Sequence, residues 1–241
     1  MAYSYWYAIV EALGADLTVP TWGNGLLDSP LRLVIEEDLA AVVSDWPKPA
    51  MKRSSDAVDP QLVWQHEGVV ERIMASQPVL PVRFGTILAD DERIQAVLAG
   101  RQAEMRADLV HVAGCVELGV RVLWDPPAGE PQPAANSLAP EIQTPGARYL
   151  QKRAAEEQVR RSVQECGNTL AGELSRALRT KAVDTRQSVL QTERMLLNAA
   201  FLVPQDEVAA FMSAVEKLRS EHGQLAFLCS GPWPPYHFVS A

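Results

Sequence analysis

Apolar residues alternate with a period of two at the start of this chain and take up helical spacing farther along. Residues 3–12 are aromatic and β-branched, which predicts a strand with Tyr3, Tyr5 and Tyr7 on one face. Gly14, Pro20, Gly23 and Gly25 break residues 13–30 into loop. Leu31 to Ile35 and Leu39 to Val43 flank Glu36-Glu37-Asp38, a hairpin with an acidic turn. Pro47 and Pro49 open a polar loop. Asp59-Pro60 starts a helix, because aspartate suits the N-cap and proline the first turn. Leu62, His66, Val69, Val70 and Ile73 share its apolar face, and Pro78 ends it. Val79–Leu88 reads as a strand with Leu80, Val82, Phe84 and Leu88 on one side and Pro81, Arg83 and Gly85 on the other. Asp90-Asp91-Glu92 opens a second helix, with negative charge at its positive dipole end. Its stripe is Ile94, Val97, Leu98, Met105, Leu109 and Val112, and Gly114 closes it. Glu117–Trp124 is the last strand of this half.

Strand, hairpin, helix, strand, helix, strand is an order that fits a ferredoxin-like α+β sandwich over residues 1–124. Residues 125–146 carry six prolines and read as a linker. A long helix runs from Ala147 to about Lys181. Its stripe is Val159, Val163, Cys166, Leu170, Leu174 and Leu178, and it would span roughly 50 Å if unbroken. So narrow a stripe fits a helical hairpin, a coiled coil or one sheet-packing face. Met195 to Val203 predicts a buried strand, Pro204 to His222 a helix, and Leu225 to Cys229 a short strand. The fold class is therefore α+β in two domains, the second spanning residues 147–241 and built around the long helix. The chain closes on Ser230-Gly231-Pro232-Trp233-Pro234-Pro235-Tyr236-His237-Phe238-Val239, which is neither helix nor central strand. A tail so stiff and aromatic calls for an apolar surface. We expect Gly231–Phe238 to return to the N-terminal domain and cover its tyrosine face, clasping the two domains.

Charge narrows the function. With 22 basic and 30 acidic residues the net charge is −8, which argues against a generic polyanion binder. Residues 147–194 hold 10 Lys/Arg against 6 Asp/Glu, so this basic element sits on an acidic body. It is either a docking surface or a solvated helix face. Cys115, Cys166 and Cys229 lack zinc-site spacing and read as small buried thiols in a reducing compartment. The N-terminus lacks the pattern of a signal peptide, and no apolar run reaches the ~18 residues of a membrane span. The expectation is a soluble cytoplasmic protein.

No phosphate-binding glycine motif occurs. His66 beside Glu67 could be a general base, but its place on an apolar helix face also fits a packed, hydrogen-bonded histidine. His111, His222 and His237 have no partner at a recognisable spacing. Arg83 lies inside an apolar strand and requires a carboxylate if it is buried; Glu117 is the first choice and Glu11 the second. Alternating tyrosines on an open sheet are a feature of RNA-recognition modules, yet the glycine–aromatic–basic pattern of those modules is missing. No catalytic residue, metal or cofactor is expected, and neither nucleic acid nor membrane as a partner.

Several strings are similar to those of the gas vesicle protein F/L family (GvpF/GvpL). They are Tyr7-Ala8-Ile9-Val10, Asp38-Leu39-Ala40-Ala41-Val42-Val43-Ser44, His66, Val79-Leu80-Pro81-Val82-Arg83-Phe84-Gly85-Thr86 and Val116-Glu117-Leu118-Gly119-Val120. Pro145-Gly146-Ala147-Arg148-Tyr149-Leu150, Leu197-Asn198-Ala199-Ala200-Phe201-Leu202-Val203 and Gly231-Pro232-Trp233-Pro234-Pro235-Tyr236-His237-Phe238 follow in order. The resemblance covers nearly the whole chain. It implies a non-enzymatic accessory protein or minor component of gas vesicles, in the cytoplasm or on the vesicle. Its implied partners are the small, apolar major shell subunit and other gas vesicle accessory proteins. It brings no defined set of binding residues. Arg83, Glu117, His66, Trp233 and Tyr236 are therefore candidates for structural or contact roles. The rival reading is an enzyme or small-ligand binder built around Arg83, His66 and Glu117.

Overall fold

The computed structural model describes residues 3–12, 22–47, 59–126, 144–187 and 194–240. The first sheet is built from β1 (Tyr3–Glu11), β2 (Leu31–Glu36), β3 (Leu39–Trp46), β4 (Leu80–Pro81) and β5 (Ile87–Leu88). Its order is β2-β3-β1-β4, with β5 pairing farther along β1, and all its pairings are antiparallel. Helix α1 (Pro60–Met74) lies between β3 and β4; α2 (Asp91–Gly100) and α3 (Gln102–Val112) follow β5. The second sheet contains β6 (Cys115–Leu123), β7 (Asp184–Gln187), β8 (Met195–Pro204) and β9 (Ala226–Trp233), in the order β7-β8-β6-β9. Helix α4 (Pro145–Arg179) joins β6 to β7, and α5 (Val208–Glu221) joins β8 to β9.

Numbered within its own half, each sheet has the strand order 4-1-3-2, with strands 1 and 3 at the centre, the ferredoxin-like arrangement. In the second half α4 and α5 fill both crossovers. In the first, α1 fills one, and the β1–β2 connection shows only a short 3-10 turn, Leu26–Asp28, among its described residues. Sequence analysis placed the ferredoxin-like pattern in the first half alone.

One strand changes sides. The expected strand Glu117–Trp124 forms as β6 but pairs with β8 and β9, with Val120 opposite both Ala199 and Cys229. It belongs to the second sheet because Leu118, Val120 and Val122 meet Phe201, Ala199 and Leu197 across the ladder and join one core with them. A period-two pattern fixes which residues face inward, not which sheet receives them. We therefore place the division between the halves near Gly114, not at residue 124. Most of the expected linker, residues 127–143, lies outside the described residues.

Other departures are local. Val79–Leu88 is two short strands separated by a turn, because Gly85 adopts φ +84 and both the Thr86 amide and its hydroxyl return to the Arg83 carbonyl. The single helix expected after Asp90 is two, interrupted at Arg101 (φ −127, ψ 19). Strand β7, Asp-Thr-Arg-Gln, escaped notice because it has no apolar residue to reveal it. β9 runs on to Trp233 and includes Pro232. It is an edge strand, where no neighbour requires the missing N–H.

The core has three parts. Tyr5, Tyr7, Val10, Val42, Val69, Val70 and Ile73 fill the space between the first sheet and α1. Leu118, Phe201, Leu174, Leu178, Phe211 and Val215 fill that between the second sheet, α4 and α5. The third joins the halves: Trp6, Ile9 and Leu80 of the first sheet, Ile94, Leu98, Leu109 and Val112 of α2 and α3, and Ala200, Leu202 and Phe238 from the second half.

Candidate interaction surface

The first strand carries a bulge at Tyr7, between the pairs Trp6–Val43 and Ala8–Val42. Tyr5 and Tyr7 face α1 and are fully buried, their ring centroids 4.9 Å apart. Their cover is α1 and the Trp22–Leu31 segment, not the C-terminal tail; an amphipathic helix supplies more apolar area than eight tail residues could. His66 completes the cluster, stacked on Tyr7 and edge-on to Phe84. Its Nε2 lies 3.0 Å from the Val82 carbonyl, which can only accept, so Nε2 carries the proton. Nδ1 then accepts from the Tyr5 hydroxyl at 3.1 Å, and that hydroxyl accepts from the Gly85 amide at 2.8 Å. The relay pins both ends of the 82–85 turn to α1 and β1. Burial drives His66 down to about 4, although its bond to the Val82 carbonyl opposes the shift. His66 is thus a neutral, packed histidine.

The tail crosses between the halves. Pro234 and Pro235 are buried, and Tyr236–Phe238 form a 3-10 turn. Glu117, whose side chain is 7% exposed, accepts from the His237 amide at 2.9 Å and from His237 Nδ1 at 2.6 Å. Phe238 sinks into the joining core, and the Arg186 guanidinium sits 5.9 Å from its ring centroid. Farther on, the Ser240 amide donates to Asp108 at 2.7 Å and Arg101 donates to the Ser240 carbonyl at 3.0 Å. The tail therefore touches the first half chiefly on the α2–α3 side, opposite the tyrosine face. Trp233 is half-buried beside Glu117 in the β6–β9 ladder.

Arg83 was expected at least half-buried and paired with Glu117. It is exposed, in the turn between β4 and β5, and Glu117 is held by His237 instead. The turn rotates Arg83 into solvent, where a guanidinium needs no carboxylate. Histidine at position 237 was overlooked as the partner because the contact spans 120 residues of sequence.

Tyr236 is the tail residue closest to the tyrosine cluster. Its hydroxyl is buried with no partner at ordinary hydrogen-bonding distance, and the Glu67 carboxylate stands just beyond that distance, close enough for a weak, long contact. Burial and that charge together push the phenol up, and burial likewise raises Glu67. Because that contact is longer than an ordinary hydrogen bond, Tyr236→Phe should shift the denaturation midpoint by less than about 1 kcal/mol in stability. A loss beyond about 1 kcal/mol would show that the hydroxyl has a partner in solution.

An open feature lies beside α1. A cleft of about 580 Å³ is lined by Trp22, Gly23, Asn24, Gly25, Trp64 and Arg72, among others. Its loop wall is fixed from below: Arg72 Nε donates to the Trp22 carbonyl at 2.6 Å, and Nη2 to the Asn24 carbonyl at 3.0 Å. The Leu26 amide donates to the Tyr7 hydroxyl at 2.7 Å. Gly25 is required here because a Cβ would collide with the Tyr7 ring. Leu27 (φ 56) and Asp28 (φ 58) are both left-handed, a strain of about 1 kcal/mol or more each. This rigid loop leaves Leu27 54% exposed, and Trp64 on α1 is 67% exposed. Neither was singled out from sequence. Trp64 falls off the Leu62–Ile73 stripe, and a tryptophan off the apolar face was the available signal.

Arg83, His66 and Glu117 do not meet: Arg83 is in solvent, His66 on the buried face of α1 and Glu117 beneath the tail, and none lines this cleft. Among the described residues, no helix is long and apolar enough to cross a membrane.

Comparison with known proteins identifies the family. The family described as gas vesicle synthesis protein GvpL/GvpF matches residues 3–240. Gas vesicle protein F of Streptomyces sp. (strain CB03234) is 31% identical, over 98% of this chain and 99% of its own length. Gas vesicle protein L of the same strain is 27% identical, over 98% and 92%. The crystal structure of GvpF from Anabaena sp. PCC7120 superposes with a TM-score of 0.75 at 21% identity, covering 100% of this chain and 97% of that one. The structure of GvpF from Microcystis aeruginosa gives 0.73 at 17% identity, with 100% of both chains covered. The two-domain α+β architecture is thus that of solved GvpF structures, and this chain belongs to the GvpL/GvpF family of gas vesicle proteins.

Proposed function

We propose that this protein is a non-catalytic assembly factor that holds the apolar major shell subunit of gas vesicles until it joins the shell. Family membership across residues 3–240 is the observation that carries this reading. A small apolar subunit exposes surface that aggregates unless it is covered. The acidic chain, with a net charge of −8, is suited to keeping such a complex in solution. The cleft beside α1 is the contact surface we favour, because Trp64 lines it with exposed apolar area, Leu27 is exposed on the adjoining loop, and that loop is already fixed by Arg72 and Tyr7. Pre-ordering of that kind lowers the entropic cost of binding.

Co-expression with the shell subunit, followed by affinity capture of this protein, tests the proposal. The shell subunit should co-purify with wild type. Capture should fall several-fold with Trp64→Ala while the melting temperature holds, since Trp64 contributes little to the core. Recovery of this protein alone would refute shell binding. Equal capture by wild type and variant would move the contact away from the cleft.

A further inference from the structure

Helix α4 is 35 residues long, yet the residues it places in the second core are Leu170, Leu174 and Leu178. Gly167 marks the start of this packed part, lying against Trp124 and Leu196. No side chain described before it, from residue 146 to Cys166, enters any of the three core clusters. At ~1.5 Å per residue this leading part extends about 30 Å beyond the packed part. A helix gains most of its stability from tertiary packing, so an arm of that length calls for something to pack on.

Charge indicates what that is. Residues 145–163 contain Arg148, Lys152, Arg153, Arg160 and Arg161 against Glu156 and Glu157. Two ion pairs described there stay inside the helix, Lys152–Glu156 at 3.8 Å and Arg160–Glu157 at 2.8 Å. Residues 1–114, the N-terminal half, hold 16 acidic against 9 basic residues. Tyr149 and Leu150 are exposed on the arm, and Ala155, Val159 and Val163 form a half-buried stripe along it. The arm thus carries an excess of base with apolar residues, and the chain's own N-terminal half carries an excess of acid.

We propose that the leading half of α4 in one copy docks on the acidic N-terminal half of a second copy. The two surfaces are different, so the contact is head-to-tail and can propagate along a row of copies. A single helix of this length covers roughly 350 Å² on each partner, which places the contact among weak, transient interfaces. Its attraction is largely between exposed charges and is screened by salt. The proposal does not depend on shell binding.

Sedimentation velocity of the purified full chain, alone, tests it. At about 20 mM salt, species larger than the monomer should grow with protein concentration and disappear at about 500 mM. The triple variant Arg153→Glu, Arg160→Glu, Arg161→Glu should remain monomeric at low salt, and circular dichroism should confirm that its helix content is retained. A wild-type monomer at low salt and high concentration would overturn the proposal. So would a variant that associates as wild type does. If wild type is monomeric and the variant loses capture of the shell subunit, the arm's occupant is that subunit and self-association is refuted.

Discussion

Phe238→Ala should destabilise the fold by about 3–5 kcal/mol, the usual effect of emptying a buried phenylalanine site. The ring is buried among residues of both halves, against α2, α3 and the Ala200 and Leu202 positions of β8. Its loss opens a cavity at the only one of the three core clusters described that spans both sheets. Urea denaturation of wild type and variant measures the effect. Unfolding should also become less cooperative, because the halves would lose part of the surface that couples them. His237→Ala is a useful companion. It strips two-sided support from the buried Glu117 carboxylate yet keeps the amide bond, so the expected loss is smaller, about 1–2 kcal/mol. An unchanged midpoint for Phe238→Ala would mean that the tail is not docked in solution.

Acid should weaken the protein well above the pH at which Asp91 and Asp38 titrate, and His66 is the reason. The folded protein holds His66 at about 4, against about 6.5 in an unfolded chain. Between those values the unfolded chain binds a proton that the folded one refuses. Stability is therefore full above about pH 6.5, falls as the pH drops, and levels near pH 4 after a loss of about 3 kcal/mol. Asp91 and Asp38 have carboxyls lowered chiefly by Arg32 and Arg106, and their contribution disappears only at lower pH. Glu67 acts in the opposite sense: its raised carboxyl destabilises the fold when ionised, a burden relieved as pH falls. Urea midpoints taken from pH 7.5 to 4 should trace the decline. The same series on His66→Gln isolates the histidine, since the variant has nothing to protonate there. If both proteins decline alike, His66 is not the group responsible.

The sequence was most legible where one local signal sufficed. Asp59 and Pro60 announced α1, and Asp59 does accept from the Gln61 amide at 2.9 Å. The Leu31–Val43 hairpin was legible because its acidic turn separates two apolar runs. What stayed hidden depends on partners remote in sequence. β6 carried an unmistakable strand pattern, but its assignment to the second sheet rests on β8 and β9, about 80 to 110 residues away. Arg83 was expected to need a carboxylate and Glu117 was its first choice, but the partner of Glu117 is His237. Arg83 appeared interior because its neighbours are apolar, whereas the Gly85 turn carries it outward. The Trp64 cleft drew no attention because half of its wall is a loop whose shape is set by Arg72 and Tyr7.

The central claim is that this chain keeps an apolar shell subunit from aggregating. Its most direct test is the light scattering of purified shell subunit diluted out of denaturant, with and without an equimolar amount of this protein. The account predicts that scattering is suppressed and that a complex of the two elutes from a sizing column, with suppression weakened by Trp64→Ala. Scattering that rises at the same rate in both samples, with no shared elution peak, would contradict it.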